Sequence, residues 1–250
     1  MQPPRFFLDP DSGELDVGNL KLNFEGKYNN YYVTVEVSDK GDPSRQSHLT
    51  VRVMLADINE PPSLPDQHRT ILENSPIDKK VGDALKFSDP DADQTFKFTI
   101  MKADNGAKSI FKIESCSGQL FVAKSIGGDG SSLLDFESEV NRFKLEIQVT
   151  DNGIVPSPLS GKGTVTIEVE DVNELPQMFE SELHIQEHPI RGLMFDAPVS
   201  GADVDKDQTS KLKYSIAYGN AGNCGRESSC PLFTIEEDTG ILAAKFAGTP

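Results

Sequence analysis

Two short strings, DINEPP at 57–62 and DVNELP at 171–176, each crowd an Asp, an Asn and a Glu together and then meet proline. The side-chain oxygens, with the backbone carbonyls between them, are hard ligands. They suit Ca²⁺, which takes about 6–8 oxygens at roughly 2.3–2.6 Å in irregular geometry. They suit Mg²⁺ less, because it demands an octahedron, and Zn²⁺ less again, because it prefers nitrogen and sulfur. One string offers too few oxygens, so other loops must converge on it. Pro61 and Pro62, and later Pro176, interrupt backbone pairing and hold the chain extended.

The partners for such convergence recur along the chain. NFEG at 23–26 echoes DFES at 135–138, and VSDKG at 37–41 echoes VTDNG at 149–153; Glu25 and Glu137, like Asp39 and Asp151, lie 112 residues apart. DPD at 89–91 echoes DVD at 203–205, and LEN around Glu73 echoes QEH around Glu187, both at an offset of 114. FFLDPDSGEL, FKIESCSGQL and FTIEEDTGIL begin at Phe6, Phe111 and Phe233, with loops of unequal length between them. A unit of about 110 residues therefore occurs three times. Residues 1–61 are expected to hold the second half of a unit, 62–175 a complete unit, and 176–250 the opening part of a third. This reads as a piece of a longer tandem array. Low stability is expected at its ends, because half a sandwich leaves its apolar face uncovered.

The elements that position these loops are strands. In 143–149, Phe143, Leu145, Ile147 and Val149 fall on one face and Lys144, Glu146 and Gln148 on the other. TVTIEVED at 164–171 alternates likewise through Val165, Ile167 and Val169, and YYVTVEVSD and LTVRVML match the two segments in the first unit. Alternation with one polar face means antiparallel sheets that cover a core from one side. Many short strands, Gly/Pro/Asp turns and units of about 110 residues predict an all-β chain of immunoglobulin-like sandwiches.

Composition narrows the function. A net charge of −16 argues against nucleic-acid and anionic-membrane binding, both of which need clustered Lys and Arg. It is compatible with cations. No run of 18 apolar residues spans a bilayer. The start, MQPPRFF, lacks the apolar segment of a signal peptide, which fits a cytosolic protein or a piece of something longer. Cys224 and Cys230 enclose a short polar loop where a disulfide and two unpaired thiols are equally open readings; Cys116 is expected to be free and partly buried.

At the second string the repeat brings seven carboxylates together: Glu73, Asp135, Glu137, Asp171, Glu174, Asp203 and Asp205. Two like charges 4 Å apart repel by about 1 kcal/mol in water and about 4 at an effective dielectric of 20. Three divalent ions would nearly neutralise the group, so ion binding would switch neighbouring modules from loose to clamped.

Together, LDFE, VTDNG, DVNELP, the lone Glu of LEN and the DPD and DVD loops resemble the cadherin repeat over essentially the whole chain. The resemblance implies Greek-key sandwiches strung end to end with three Ca²⁺ ions at each junction. At the second junction it assigns Glu73, Asp135, Glu137 and Glu174 to the outermost ion. The middle ion takes Glu73, Glu137, Asp171, Glu174 and Asp205 with the Val172 carbonyl. The third takes Asn173, Asp203, Asp205 and the Leu175 carbonyl. The corresponding first-junction residues are Glu25, Asp57, Asn59, Glu60, Asp89, Asp91 and Asp151. The family's Asp-x-Asn-Asp-Asn stands here as DINEP and DVNEL, and Asn23 replaces an Asp of the Asp-x-Glu loop, removing one charge.

The resemblance further implies a non-enzymatic extracellular segment of a longer protein anchored in the plasma membrane. It would support calcium-dependent, homophilic adhesion with repeats on the same or an apposed cell, without itself inserting into the membrane. A calcium-stiffened spacer is the alternative. The chain has no Trp with which to adhere by strand swapping. Other readings fail on residue types. DPDADQ and DVDKDQ are not EF-hand loops, since Gln94 and Gln208 stand where Gly is required and Ile100 and Tyr214 where Glu is. HIQEH at 184–188 matches a zinc-protease string but alternates like a strand and runs into Pro189. A glycosidase pair needs a pocket, whereas these acids gather in loops.

Overall fold

A computed structural model of the chain describes residues 6–18, 21–185, 189–205, 211–220, 222–224 and 227–245. The described residues form two compact units, one of 1–69, 77–123 and 143–167, the other of 70–76, 124–142 and 168–250.

The first unit opens with the hairpin β1 (Phe6–Leu8) and β2 (Leu15–Val17), followed by a second hairpin of β3 (Asn30–Ser38) and β4 (Gln46–Met54). A four-stranded sheet then runs in the order β5-β10-β9-β6, from β5 (Gln67–Leu72), β6 (Lys97–Ala103), β9 (Arg142–Thr150) and β10 (Ser160–Glu170). Between β6 and β9 lie a single helical turn, α1 (Ala107–Ile110), and the hairpin of β7 (Phe111–Ile113) and β8 (Leu120–Val122). The second unit adds the pairs β11 (Gln177–Met178) with β12 (Gly201–Ala202), β13 (Gly222–Cys224) with β14 (Glu227–Cys230), and β15 (Phe233–Ile235) with β16 (Leu242–Ala244). Among the described residues the chain is all-β apart from α1.

The expected alternation is met in the middle of the chain. Phe143, Leu145, Ile147 and Val149 on β9 and Val165 and Ile167 on β10 are at most 1% exposed, whereas Lys144 is exposed and Glu146 and Gln148 are half-buried. Phe98 on β6, beside Val149, and Phe111, Leu120 and Val122 of the β7–β8 hairpin are buried with them, and Phe111 meets Phe143 edge to face at 5.4 Å. Each such side chain stabilises the fold by about 1.5–3 kcal/mol through apolar burial. Strands β3 and β4 carry the same pattern without such cover: Val37 is 66% exposed, while Val149, its counterpart in the repeat, is fully buried.

Three hairpins share one turn. In DSG, CSG and DTG the glycines Gly13, Gly118 and Gly240 have φ of 73°, 70° and 70°. Each donates its N–H to the carbonyl four residues back, on Asp9, Glu114 and Glu236. That left-handed conformation is why glycine stands there. Cys116 sits in the middle one of these turns and is exposed, not partly buried as expected, because it stands at the tip that joins β7 to β8. The side chains of Cys224 and Cys230, and the residues Glu187, His188 and Gln208, lie outside the described residues. No helix among the described residues is long and apolar enough to cross a membrane.

Candidate metal centre

Strand ends and turns deliver the acids to two clusters, one in each unit. In the second unit, Glu73 follows β5, Asp135 and Glu137 lie in the loop before β9, and Asp171 to Glu174 follow β10. Ligand oxygens of Glu73, Asp135 and Glu137 lie within 4.8 Å of one another, as do those of Glu137, Asp171 and Asp205, so Glu137 joins the two groups.

Backbone donors fix the carboxylates. Glu73, 3% exposed, accepts the Val172 N–H on Oε1 at 2.7 Å and the Phe136 N–H on Oε2 at 3.0 Å. Asp205 Oδ2 accepts the Glu174 N–H at 3.0 Å, and Asp203 Oδ1 accepts the Asp205 N–H at 3.0 Å. Asn74 Nδ2 donates to Glu174 Oε1 at 2.7 Å. Asn173 is exposed and donates to the Glu174 carbonyl at 3.1 Å.

The first unit repeats this arrangement. Oxygens of Glu25, Glu60 and Asp91 lie within 4.8 Å of one another. Asp91 Oδ2 accepts the Glu60 N–H at 2.8 Å, and Asp89 Oδ1 accepts the Asp91 N–H at 3.0 Å. Asn59, 9% exposed, donates from Nδ2 to Asp151 Oδ2 at 3.2 Å and to the Ser157 carbonyl at 3.0 Å. Asp151 is itself buried, its Oδ1 accepting the N–H groups of Gly153 and Leu159. Asp57 is exposed and lines the same cleft as Asn59, Asp91 and Asn152.

The ion pairs of Lys102, Lys112, Arg142, Lys162 and Lys213 go to acids outside the two clusters. Lost hydration, then the charges of Glu25, Asp91 and Asp57, raises Glu60 above the ordinary glutamate value. Lost hydration likewise leads in raising Asp89, Glu137, Asp171 and Glu174, with neighbouring carboxylates adding to it in each case. Among the described residues, six buried side-chain oxygens accept nothing: Glu60 Oε2, Asp89 Oδ2, Asp91 Oδ1, Gln94 Oε1, Glu174 Oε2 and Asp205 Oδ1. Burying such atoms without a partner is costly. Oxygen-rich, anionic and short of donors, this set fits a hard divalent cation.

Of the residues marked out in sequence, Glu25, Glu60 and Asp91 meet in one group and Glu73, Asp135, Glu137, Asp171 and Asp205 in the other two. Asn59, Asp89, Asp151, Glu174 and Asp203 join by hydrogen bonds, and Asp57 by lining the cleft. Asn74 and Gln94 join the clusters from outside the expected ligand set. Asn74 directly follows Glu73, so its place in the LEN string was the available signal.

No family model matches the sequence. Relatives are nonetheless evident along almost all of it. Human protocadherin Fat 1 is 30% identical over 252 residues, 94% of this chain and 5% of that protein. Mouse protocadherin Fat 2 is 29% identical over 246 residues, 95% of this chain and 5% of that one. Drosophila neural-cadherin is 26% identical over 253 residues, 95% and 8%. The chain thus spans a small fraction of each relative. Among solved structures, the protocadherin gammaB7 EC3-6 cis-dimer aligns with a TM-score of 0.68 at 20% identity, over all of this chain and 60% of that one. Mouse cadherin-23 EC22-24 gives 0.62 at 22% over 98% and 73%. The fold is that of their extracellular repeats, immunoglobulin-like Greek-key sandwiches in tandem. With likeness along nearly its full length and the acidic strings in place, this chain is similar throughout to the extracellular repeats of cadherins and protocadherins.

Proposed function

We propose that this chain is a calcium-binding run of cadherin repeats, divided at 1–61, 62–175 and 176–250, in the extracellular part of a plasma-membrane protein. Supporting this reading is one match above all. Glu60 Oε2 and Asp91 Oδ1 are buried and unpartnered in one cluster, and so are Glu174 Oε2 and Asp205 Oδ1 at the equivalent positions of the other. The same atoms left without donors in two copies of a repeat support reading them as ligand oxygens.

Glu73, Asp135, Glu137, Asp171, Asn173, Glu174, Asp203 and Asp205, with the Val172 carbonyl, would hold the ions of the second cluster. Glu25, Asp57, Asn59, Glu60, Asp89, Asp91 and Asp151 would hold those of the first. Bound Ca²⁺ would supply the positive charge that the converging carboxylates lack. The acids would then draw their strand ends and loops together, converting a mutually repelling set into a rigid connection. The role is mechanical and adhesive, not enzymatic: homophilic calcium-dependent contact with repeats on the same or an apposed cell.

Thermal melting during calcium titration tests the binding. Saturable stabilisation is expected between about 10⁻⁵ and 10⁻³ M, the range of sensor to extracellular sites, and a melting temperature indifferent to calcium would refute it. Aggregation of beads coated with the chain, reversed by chelator, tests adhesion; beads that stay dispersed in calcium would leave a spacer role.

A further inference from the structure

We propose that Gln94 is a further ligand of the ion held by the first cluster, through Oε1. The assignment rests on the calcium reading and adds a residue that the acidic strings do not contain. Gln94 stands in the DPDADQ loop, three residues beyond Asp91, and lines the same cleft as Asp57, Asn59 and Asp91. Its amide is already anchored at one end: Nε2 donates to Asn59 Oδ1 at 2.7 Å. Its other end is buried and accepts nothing.

Of the six unpartnered buried oxygens among the described residues, five belong to carboxylates of the two clusters, and the sixth is Gln94 Oε1. A neutral amide oxygen can accept hydrogen bonds at two lone pairs, so leaving it dry and unused carries a desolvation cost unless a cation takes it up. Asp91, 8% exposed with Oδ1 likewise unpartnered, shows that the cleft holds more than one such atom. An amide oxygen is an ordinary Ca²⁺ ligand and adds no charge to a set of acids that already repel. Asp93, with φ of 59°, turns the loop immediately before Gln94. Asn59 keeps Nδ2 toward Asp151 and Ser157, which leaves its Oδ1 on the Gln94 side. Two amide oxygens and the Asp91 carboxylate thus border one cleft.

The test separates the oxygen of Gln94 from its N–H. The full chain, stripped of metal, is titrated with CaCl₂ by calorimetry as wild type, Gln94→Leu and Gln94→Glu, and each is melted in EGTA. Both variants lose the donor to Asn59, but only Gln94→Glu keeps a ligand oxygen. We expect Gln94→Leu to weaken one class of ion about tenfold, the scale of one lost ligand contact. Gln94→Glu should bind that class at least as tightly as wild type, yet melt below Gln94→Leu in EGTA, where its extra charge is unmatched. A wild-type isotherm for Gln94→Leu, or binding by Gln94→Glu as weak as that of Gln94→Leu, would overturn the assignment alone. A wild-type chain that takes up no calcium would overturn the assignment together with the reading beneath it.

Discussion

The backbone N–H of Glu174 donates to Asp205 Oδ2 at 3.0 Å, and 31 residues likewise separate Glu60 from Asp91 in the equivalent bond of the other cluster. In both, the aspartate uses one oxygen to seat the acidic string and leaves the other buried and unpartnered. Asp205→Asn should therefore keep the seat, because its Oδ1 can still accept the N–H, while the charge disappears. In EGTA the variant should melt at or above the wild-type temperature. In millimolar calcium it should lose part of the wild-type gain, which is about 2.7 kcal/mol for each site held at a hundredfold excess over its Kd. Paired melts with and without calcium check both directions.

Acidification should stabilise the ion-free chain. Glu60, Asp89, Glu137, Asp171 and Glu174 are all raised above their ordinary values, lost hydration leading the causes. A carboxyl whose folded pKa exceeds its unfolded one penalises the folded state above the folded pKa, and the penalty vanishes below the unfolded pKa. In EGTA the melting temperature should rise as the pH falls from neutral toward the ordinary carboxylate range. In calcium the gain from the ion should shrink over the same interval, because protons compete for the same oxygens.

Gly153→Ala should injure the first cluster selectively. A Cβ at this position would overlap the Asn59 carboxamide, which fills the space beside the glycine. Displacing Asn59 breaks its bonds to Asp151 and to the Ser157 carbonyl. Calorimetry should show fewer ions bound per chain, with the second cluster retaining its wild-type affinity.

Equivalent strand positions should differ in mutational cost. Ile147→Ala on β9 opens a cavity in a fully buried site and should cost about 2–5 kcal/mol. Val37→Ala on β3, where the side chain is 66% exposed, should stay within about 0.5 kcal/mol. Urea denaturation monitored across the chain checks the contrast.

The strands were legible because alternation is local. YYVTVEVSD and FKLEIQV announce β3 and β9 within a residue of their observed limits. The two strings and their recurring partners marked most of the acids that meet. Burial of Glu73 was not legible. Taken singly it is an ordinary exposed strand residue, and its two acceptor bonds reach Phe136 and Val172, distant in sequence. Gln94 escaped for the same reason: its contact with Asn59 spans 35 residues and depends on a loop conformation that no local pattern encodes.

The most direct measurement counts ions on the folded chain. Native mass spectrometry of the metal-stripped protein, titrated with calcium, should show discrete, saturable additions of several ions. Their number should fall sharply when Glu60→Gln, Asp91→Asn, Glu174→Gln and Asp205→Asn are combined. Uptake that never saturates, or that the four substitutions leave unchanged, would contradict the claim that these buried oxygens are calcium ligands.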